Sequence, residues 1–155
     1  MSESDAYIFT PAIDEDSDLL AGLMREFYLV EHLHYDEQIV RRALRLILGN
    51  RLYGMIHIIS LDAEVIGYVV LTFGFSLEFH GRNALLDELY VREAFRGRGV
   101  GGKALDMVEE ICRREGIAAI HLEVDRSNTM ARELYHRAGY RDHDRYLLTK
   151  WLAGS

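Results

Sequence analysis

Hydrophobic positions along this chain change period several times, and each change marks an element. "AYIFTPAI" near the start predicts a short strand. The acidic run over residues 14–18 suits a helix N-terminus, where carboxylates meet the positive end of the dipole. Leu19, Leu20, Leu23, Phe27 and Val30 then recur at helical spacing, and a second helical run carries Ile39, Ala43, Leu46 and Ile47. "GMIHIISLDAEVIGYVVLTFGF" predicts two strands joined by a polar turn over residues 62–64, and "ALLDELYV" a third. Val100, Ala104, Met107, Val108 and Ile111 form one helical stripe over residues 99–115, stopped by Gly116. "AAIHLEV" reads as a strand, Asn128 as the cap of a helix over 129–138 closed by Gly139, and "YLLTKWL" as a last strand. This order predicts an α/β or α+β fold with helices on both faces of a sheet.

Composition narrows the picture without naming a function. A chain of 155 residues with 49% hydrophobic and 28% charged residues and one proline fits one folded domain over 1–155, with no long disordered linker. A formal net charge of −7 argues against nonspecific nucleic-acid binding. Cys112 is alone, so an intramolecular disulfide is excluded and a reducing, cytoplasmic setting is the simpler expectation. "MSESDAYIFT" lacks the basic and apolar regions of a signal peptide, and no apolar run approaches membrane-spanning length, so no membrane partner is expected. The histidines at 32, 34 and 143 lack paired ligand spacing, and no metal is expected.

The chemistry concentrates in "RGRGVGGKALD". Gly97, Gly99 and Gly102 have the G-x-G-x-x-G spacing of a dinucleotide loop, and Glu123 and Asp125 follow at about the distance of a ribose-binding acid. The preceding strand argues against that assignment, because it carries Asp87 and Glu88 and is separated from Gly97 by "REAFR". A Walker loop is excluded because Lys103 is followed by Ala104 and not by Ser or Thr. What remains is a loop whose small residues let backbone N–H groups approach an anion at a helix start, with Arg92, Arg96, Arg98 and Lys103 nearby.

"LDELYVREAFRGRGVGGKAL", followed by "LEVDRSNTMARELYHRAGY", resembles the GNAT superfamily of N-acetyltransferases, whose signature [RQ]-x-x-G-x-[GA] is met by Arg96, Gly99 and Gly101. The likeness is densest over residues 85–140. It implies a mixed, mostly antiparallel sheet flanked by helices, with acetyl-CoA as cosubstrate. By the same resemblance, Arg96, Gly97, Arg98, Gly99, Val100, Gly101 and Gly102 would hold the pyrophosphate, and Leu89, Tyr90 and Val91 would face the pantetheine arm. Asn128 would face that arm as well, although helix capping accounts for an asparagine there equally well. Tyr135 would be the general acid for the departing thiolate, although its place on the stripe of Ala131, Leu134 and Ala138 also fits packing.

The implied reaction is attack of a primary amine on a thioester. An alkyl amine of pKa about 10.4 is almost entirely protonated at neutral pH, so a base is useful. Glu88, then Glu123, then Asp87 are the candidates; strand alternation would send Asp87 and Glu88 to opposite faces, so that one of them at most lines the site. The acceptor, a small molecule or a peptide, would enter near "EHLHYDE" and "RDHDRY", where Glu31, Asp36 and Glu37 could meet a cation and His32, His34 and Tyr35 could shape a pocket. The alternative from another class is a noncatalytic acyl-CoA-binding regulatory module on the same fold. Oligomeric state stays open, with a homodimer as a common form in the superfamily.

Overall fold

The computed structural model describes residues 6–153; the first five residues of the N-terminus, part of the segment read above as lacking a signal, lie outside them. Strand β1 (Tyr7–Pro11) leads through a 3-10 turn at Asp14–Asp16 into helix α1 (Ser17–Val30), followed by α2 (Glu37–Gly49). Asp36 starts α2 by accepting from the backbone N–H groups of Gln38 and Ile39, satisfying amides that have no partner within the helix. Strands β2 (Gly54–Leu61), β3 (Glu64–Ser76) and β4 (Gly81–Val91) follow, then α3 (Val100–Arg114), β5 (Ala119–Leu122) and α4 (Thr129–Arg137). Asp62 and Ala63 both have positive φ, 50° and 67°, the backbone of the two-residue turn whose twist matches a β-hairpin. Among the described residues no helix is long and apolar enough to cross a membrane.

The five strands lie in the order β1-β2-β3-β4-β5, with antiparallel pairing up to β4 and parallel pairing between β4 and β5. This is the mixed, mostly antiparallel sheet flanked by helices that the sequence implied. Ile59, Ile66, Val69, Leu71, Ala84 and Leu86 pack on one face against Val100, Ala104, Val108 and Ile111 of α3. Ile56, Ile58, Tyr68, Val70 and Tyr90 pack on the other against Leu20, Leu23 and Met24 of α1 and Val40 and Leu44 of α2.

Two expectations need correction. The buried stripe of α2 is Val40 and Leu44 with half-buried Ile47; Leu44 is 2% exposed, whereas Ile39 and Leu46 are each 56% exposed. The helix is therefore rotated by about one residue from the predicted face, because its many arginines leave two competing apolar stripes. The predicted last strand, "YLLTKWL", is not a strand: it joins no ladder, and Tyr146, Leu148, Trp151 and Leu152 are exposed. Alternation supplied the pattern, but among the described residues no strand pairs with it.

Candidate active site

A bulge in β4 sets up the site. Val70 lies opposite Glu88 and Leu71 opposite Leu86, which leaves Asp87 as the extra residue. Simple alternation would put Leu86 and Glu88 on one face. The bulge instead sends Leu86 toward α3 and turns Glu88 toward α1, while both Asp87 and Glu88 border one large open cleft. The expectation that only one of the two acids would line the site fails at this irregularity.

Glu88 sits in an aromatic wall. Its Oε2 accepts from the Tyr28 hydroxyl at 2.8 Å and its Oε1 from the Tyr68 hydroxyl at 2.6 Å. Phe27 packs against Tyr90 with ring centroids 5.5 Å apart, and Tyr68 against Tyr90 at 6.0 Å. Burial pushes the Glu88 carboxyl above the usual glutamate value; the two phenols oppose that shift, and neighbouring Asp87 adds to it. Burial likewise raises Asp87. Tyr28 and Tyr68 are raised by burial and by the Glu88 charge, so both remain protonated donors at neutral pH. Neither tyrosine was singled out from the sequence. The available signal was a polar-tipped aromatic at buried positions, since a buried phenol needs a hydrogen-bond partner.

On the β5 side the sheet opens. Asn83, Ala84, Leu85 and Leu86 lie opposite Ala119, Ile120, His121 and Leu122, and the ladder ends there. Leu89, Tyr90 and Val91 continue to pair with β3 only. The strands thus diverge just where Glu88 and Leu89 meet the cleft, whose other borders include Glu123, Asn128 and Tyr135. The Asn128 side chain accepts from the Ala131 backbone N–H at 3.2 Å, so the capping role is present. Tyr135 is half-buried, its ring 6.1 Å from that of Tyr140, and burial raises its phenol above the ordinary tyrosine value.

Above the divergence lies the glycine loop. Gly97 and Gly99 have φ of 77° and 82°, a left-handed backbone that favours glycine. Gly99 precedes Val100 at the start of α3 with no side-chain cap, so the first amides of a fifteen-residue helix are open toward the loop. A Cβ at Gly101 would come within 3.0 Å of Leu134 Cδ2 on α4, a tight contact that the end of the leucine side chain would have to shift slightly to relieve. Tyr7 anchors the loop by donating to the Arg98 carbonyl at 3.2 Å, a contact the sequence did not suggest. Arg96 donates to the Val91 carbonyl at 2.8 Å, and the Arg98 guanidinium lies 5.5 Å from the Phe95 ring. Lys103 borders a small hollow with Gly99, Gly102 and Arg137. Arg92 leaves the expected cationic cluster: it pairs with Glu26 at 3.0 Å and donates to the Val65 carbonyl at 2.9 Å, on the α1 side.

The residues expected to meet the acceptor divide. Glu31 and residues 141–146 border the cleft. Asp36 is committed to the α2 cap, Glu37 lies 3.5 Å from Arg41, and the Tyr35 hydroxyl donates to the Ala21 carbonyl. His32 and His34 are exposed.

The acetyltransferase (GNAT) family model matches residues 17–140. The chain belongs to the acetyltransferase (GNAT) family. Thialysine N-epsilon-acetyltransferase from Bos taurus is 35% identical over 78 residues, 50% of this chain and 45% of that protein, so the chain aligns with less than half the length of that relative. An integron cassette protein from the mobile metagenome of Cole Harbour Salt Marsh is 33% identical, with a TM-score of 0.84 over 95% of this chain and 91% of the other. A predicted acetyltransferase from Clostridium acetobutylicum, solved with acetyl-CoA, shares the GNAT fold at a TM-score of 0.80 and 19% identity, covering 94% of this chain and 96% of its own.

Proposed function

We propose that the chain is an acetyl-CoA-dependent N-acetyltransferase that moves an acetyl group to a primary amine by direct attack on the thioester. The observation that carries this is the divergence of β4 from β5, with a half-buried, hydrogen-bonded carboxylate on one side and a helix N-terminus without a side-chain cap on the other. The coenzyme's pyrophosphate fits the amides of Val100, Gly101 and Gly102, beside the left-handed glycines at 97 and 99, with Arg96, Arg98 and Lys103 adding charge. Its pantetheine arm would lie along Leu89, Tyr90 and Val91, near Asn128.

Glu88 takes a proton from the incoming ammonium, directly or through one water, and the freed amine nitrogen bonds to the thioester carbonyl carbon. The carbon–sulfur bond breaks as that carbon–nitrogen bond forms. Tyr135, kept protonated by burial, gives its proton to the leaving sulfur; the attacking nitrogen sheds its second proton to solvent as the amide forms, Glu88 releases the proton it took to solvent, and Tyr135 regains one from there. The products are an N-acetyl amide and the free thiol. Cys112, whose thiol burial pushes up to about 11, is a poor nucleophile, which supports direct transfer over an acetylated enzyme. Glu123 and Asp87 remain secondary candidates for the base. Glu31, Asp87 and Glu123 along the cleft favour a cationic acceptor, and the name of the thialysine enzyme supports an amine as acceptor.

The test has two steps. Calorimetric titration with acetyl-CoA and with NAD should give saturable binding of the first only, followed by amine-dependent release of free thiol with a panel of polyamines, aminoglycosides, amino acids and peptides. Acetyl-CoA binding with no thiol release from any amine would favour the noncatalytic regulatory module. NAD binding without acetyl-CoA binding would overturn the coenzyme assignment.

A further inference from the structure

The β3–β4 hairpin carries three large apolar side chains near its tip, and they part ways. Phe75 and Leu77 are 72% and 88% exposed, whereas Phe79 is half-buried and borders the open cleft. Its ring meets both sides of that cleft. It packs edge-on against His121 of β5, with centroids 4.3 Å apart, and lies 5.8 Å from the His143 ring across the gap. The Arg145 guanidinium sits 5.9 Å from the same ring and pairs with Glu78, the residue before Phe79. The turn is tight, with the Phe79 N–H donating to Ser76 Oγ at 3.4 Å and a φ of 69° at His80. Phe79 thus forms a cross-piece between the two walls.

The cross-piece and Glu88 stand on one face of the sheet. Ile120 and Leu122 pack toward α3, so alternation turns His121 to the opposite side, where Tyr28 of α1 holds Glu88. Register gives their separation. His121 lies opposite Leu85, three residues before Glu88 on β4, which at about 3.3 Å per residue sets the level of Phe79 roughly 10 Å below Glu88. Glu31, Asp87 and Glu123 border the cleft along with Glu88. Carboxylates therefore gather toward the upper end of this groove, and an aromatic ring closes the lower end. Phe79 also lies against an imidazole whose Nε2 is buried without a hydrogen-bond partner. Removing the ring would open space and uncover a nitrogen able to accept from an ammonium.

Resting on the acetyltransferase reading above, we propose that Phe79 is the specificity-determining residue for the acceptor: it ends the groove roughly 10 Å from Glu88 and restricts the enzyme to short cationic amines. An acceptor whose amine reaches Glu88 lays its tail along the groove toward the ring. A tail longer than the groove must displace the ring or withdraw the amine from the carboxylate. One methylene misfitted in such a pocket is worth about 10- to 200-fold in discrimination.

Thiol release measured over a homologous series of unbranched α,ω-diamines reads this stop directly. For the unmodified enzyme, kcat/KM should fall by about 10-fold or more between members shorter and longer than the groove. Phe79→Ala should move the break to longer diamines, and Phe79→Trp should move it to shorter ones. Phe79→Leu keeps an apolar side chain under the turn and should shift the break in the same direction as alanine, so the test survives an alanine variant that does not fold. A wild-type profile without a break overturns the proposal, and so does a break that stays in place in folded variants. In both cases thiol is still released, so the acetyltransferase reading stands. Acetyl-CoA binding with no thiol release from any amine sinks that reading and this one with it.

Discussion

Tyr68 donates to Glu88 Oε1 at 2.6 Å across the β3–β4 pair, a contact that exists because the bulge at Asp87 turns Glu88 toward the α1 face. Tyr28 reaches the other carboxylate oxygen from the last turn of α1, so one acid ties a helix to two strands. The hydrogen bonds keep the carboxylate in one orientation, and burial raises its proton affinity above the usual glutamate value.

Replacing Glu88 with Gln keeps size and one acceptor oxygen while removing the proposed base. We expect kcat to fall by about 10²- to 10⁴-fold, with acetyl-CoA affinity unchanged. Steady-state thiol release and a parallel calorimetric titration check both halves. A loss confined to acetyl-CoA binding would move the role of base to Glu123 or Asp87.

The acid limb of kcat/KM should lie above the ordinary glutamate range, because burial raises Glu88 and the base must be ionised to work. Tyr28→Phe and Tyr68→Phe each remove a hydrogen bond that favours the ionised form, so each should move that limb to higher pH. Stability has the opposite pH sense. A carboxyl raised on folding holds more protons in the native state, so its contribution is full below the unfolded pKa and is lost as pH rises through the folded one. Thermal melts should therefore show Glu88→Gln losing less stability than wild type as pH rises from below the ordinary glutamate value through the raised one.

Gly99 has a φ of 82°, and a Cβ there would meet nothing within 4 Å. Gly99→Ala thus tests backbone conformation alone, at a cost of about 1–2 kcal/mol in stability. Gly99→Asp adds a carboxylate beside open helix amides. Calorimetry should find acetyl-CoA binding weakened far more by Asp than by Ala; equal losses would mean that conformation and not charge governs the loop.

Much of this was legible in local pattern. The α3 stripe of Val100, Ala104, Val108 and Ile111 is apolar on one side and polar on the other, and it is buried as its spacing implied. The glycine loop was legible because positive φ leaves a chemical trace in composition. The Glu88 network was not, since it depends on a one-residue bulge that alternation cannot reveal and on partners 60 and 20 residues away in sequence. The C-terminal segment failed for a related reason: a strand needs a neighbour to pair with, and alternation alone does not supply one.

Helix α2 gives that lesson a measurable form. Leu44 is buried and Leu46 is exposed, although both fit an apolar stripe. Leu44→Ala should cost about 2–5 kcal/mol in urea unfolding, whereas Leu46→Ala should stay within about 0.5 kcal/mol of wild type. Reversed costs would mean that α2 presents its predicted face to the sheet.

Tyr135 separates packing from chemistry. Its phenol borders the cleft and its ring packs against Tyr140, so removing only the hydroxyl leaves the apolar contact in place. Tyr135→Phe should lower kcat, with acetyl-CoA affinity and melting temperature near wild type, because in its proposed role the lost hydroxyl acts only when sulfur leaves. The deficit should shrink with an acyl donor whose thiol has a lower pKa, since a better leaving group needs less protonation. A deficit equally large with such a donor, or a loss of affinity in its place, would assign Tyr135 to binding.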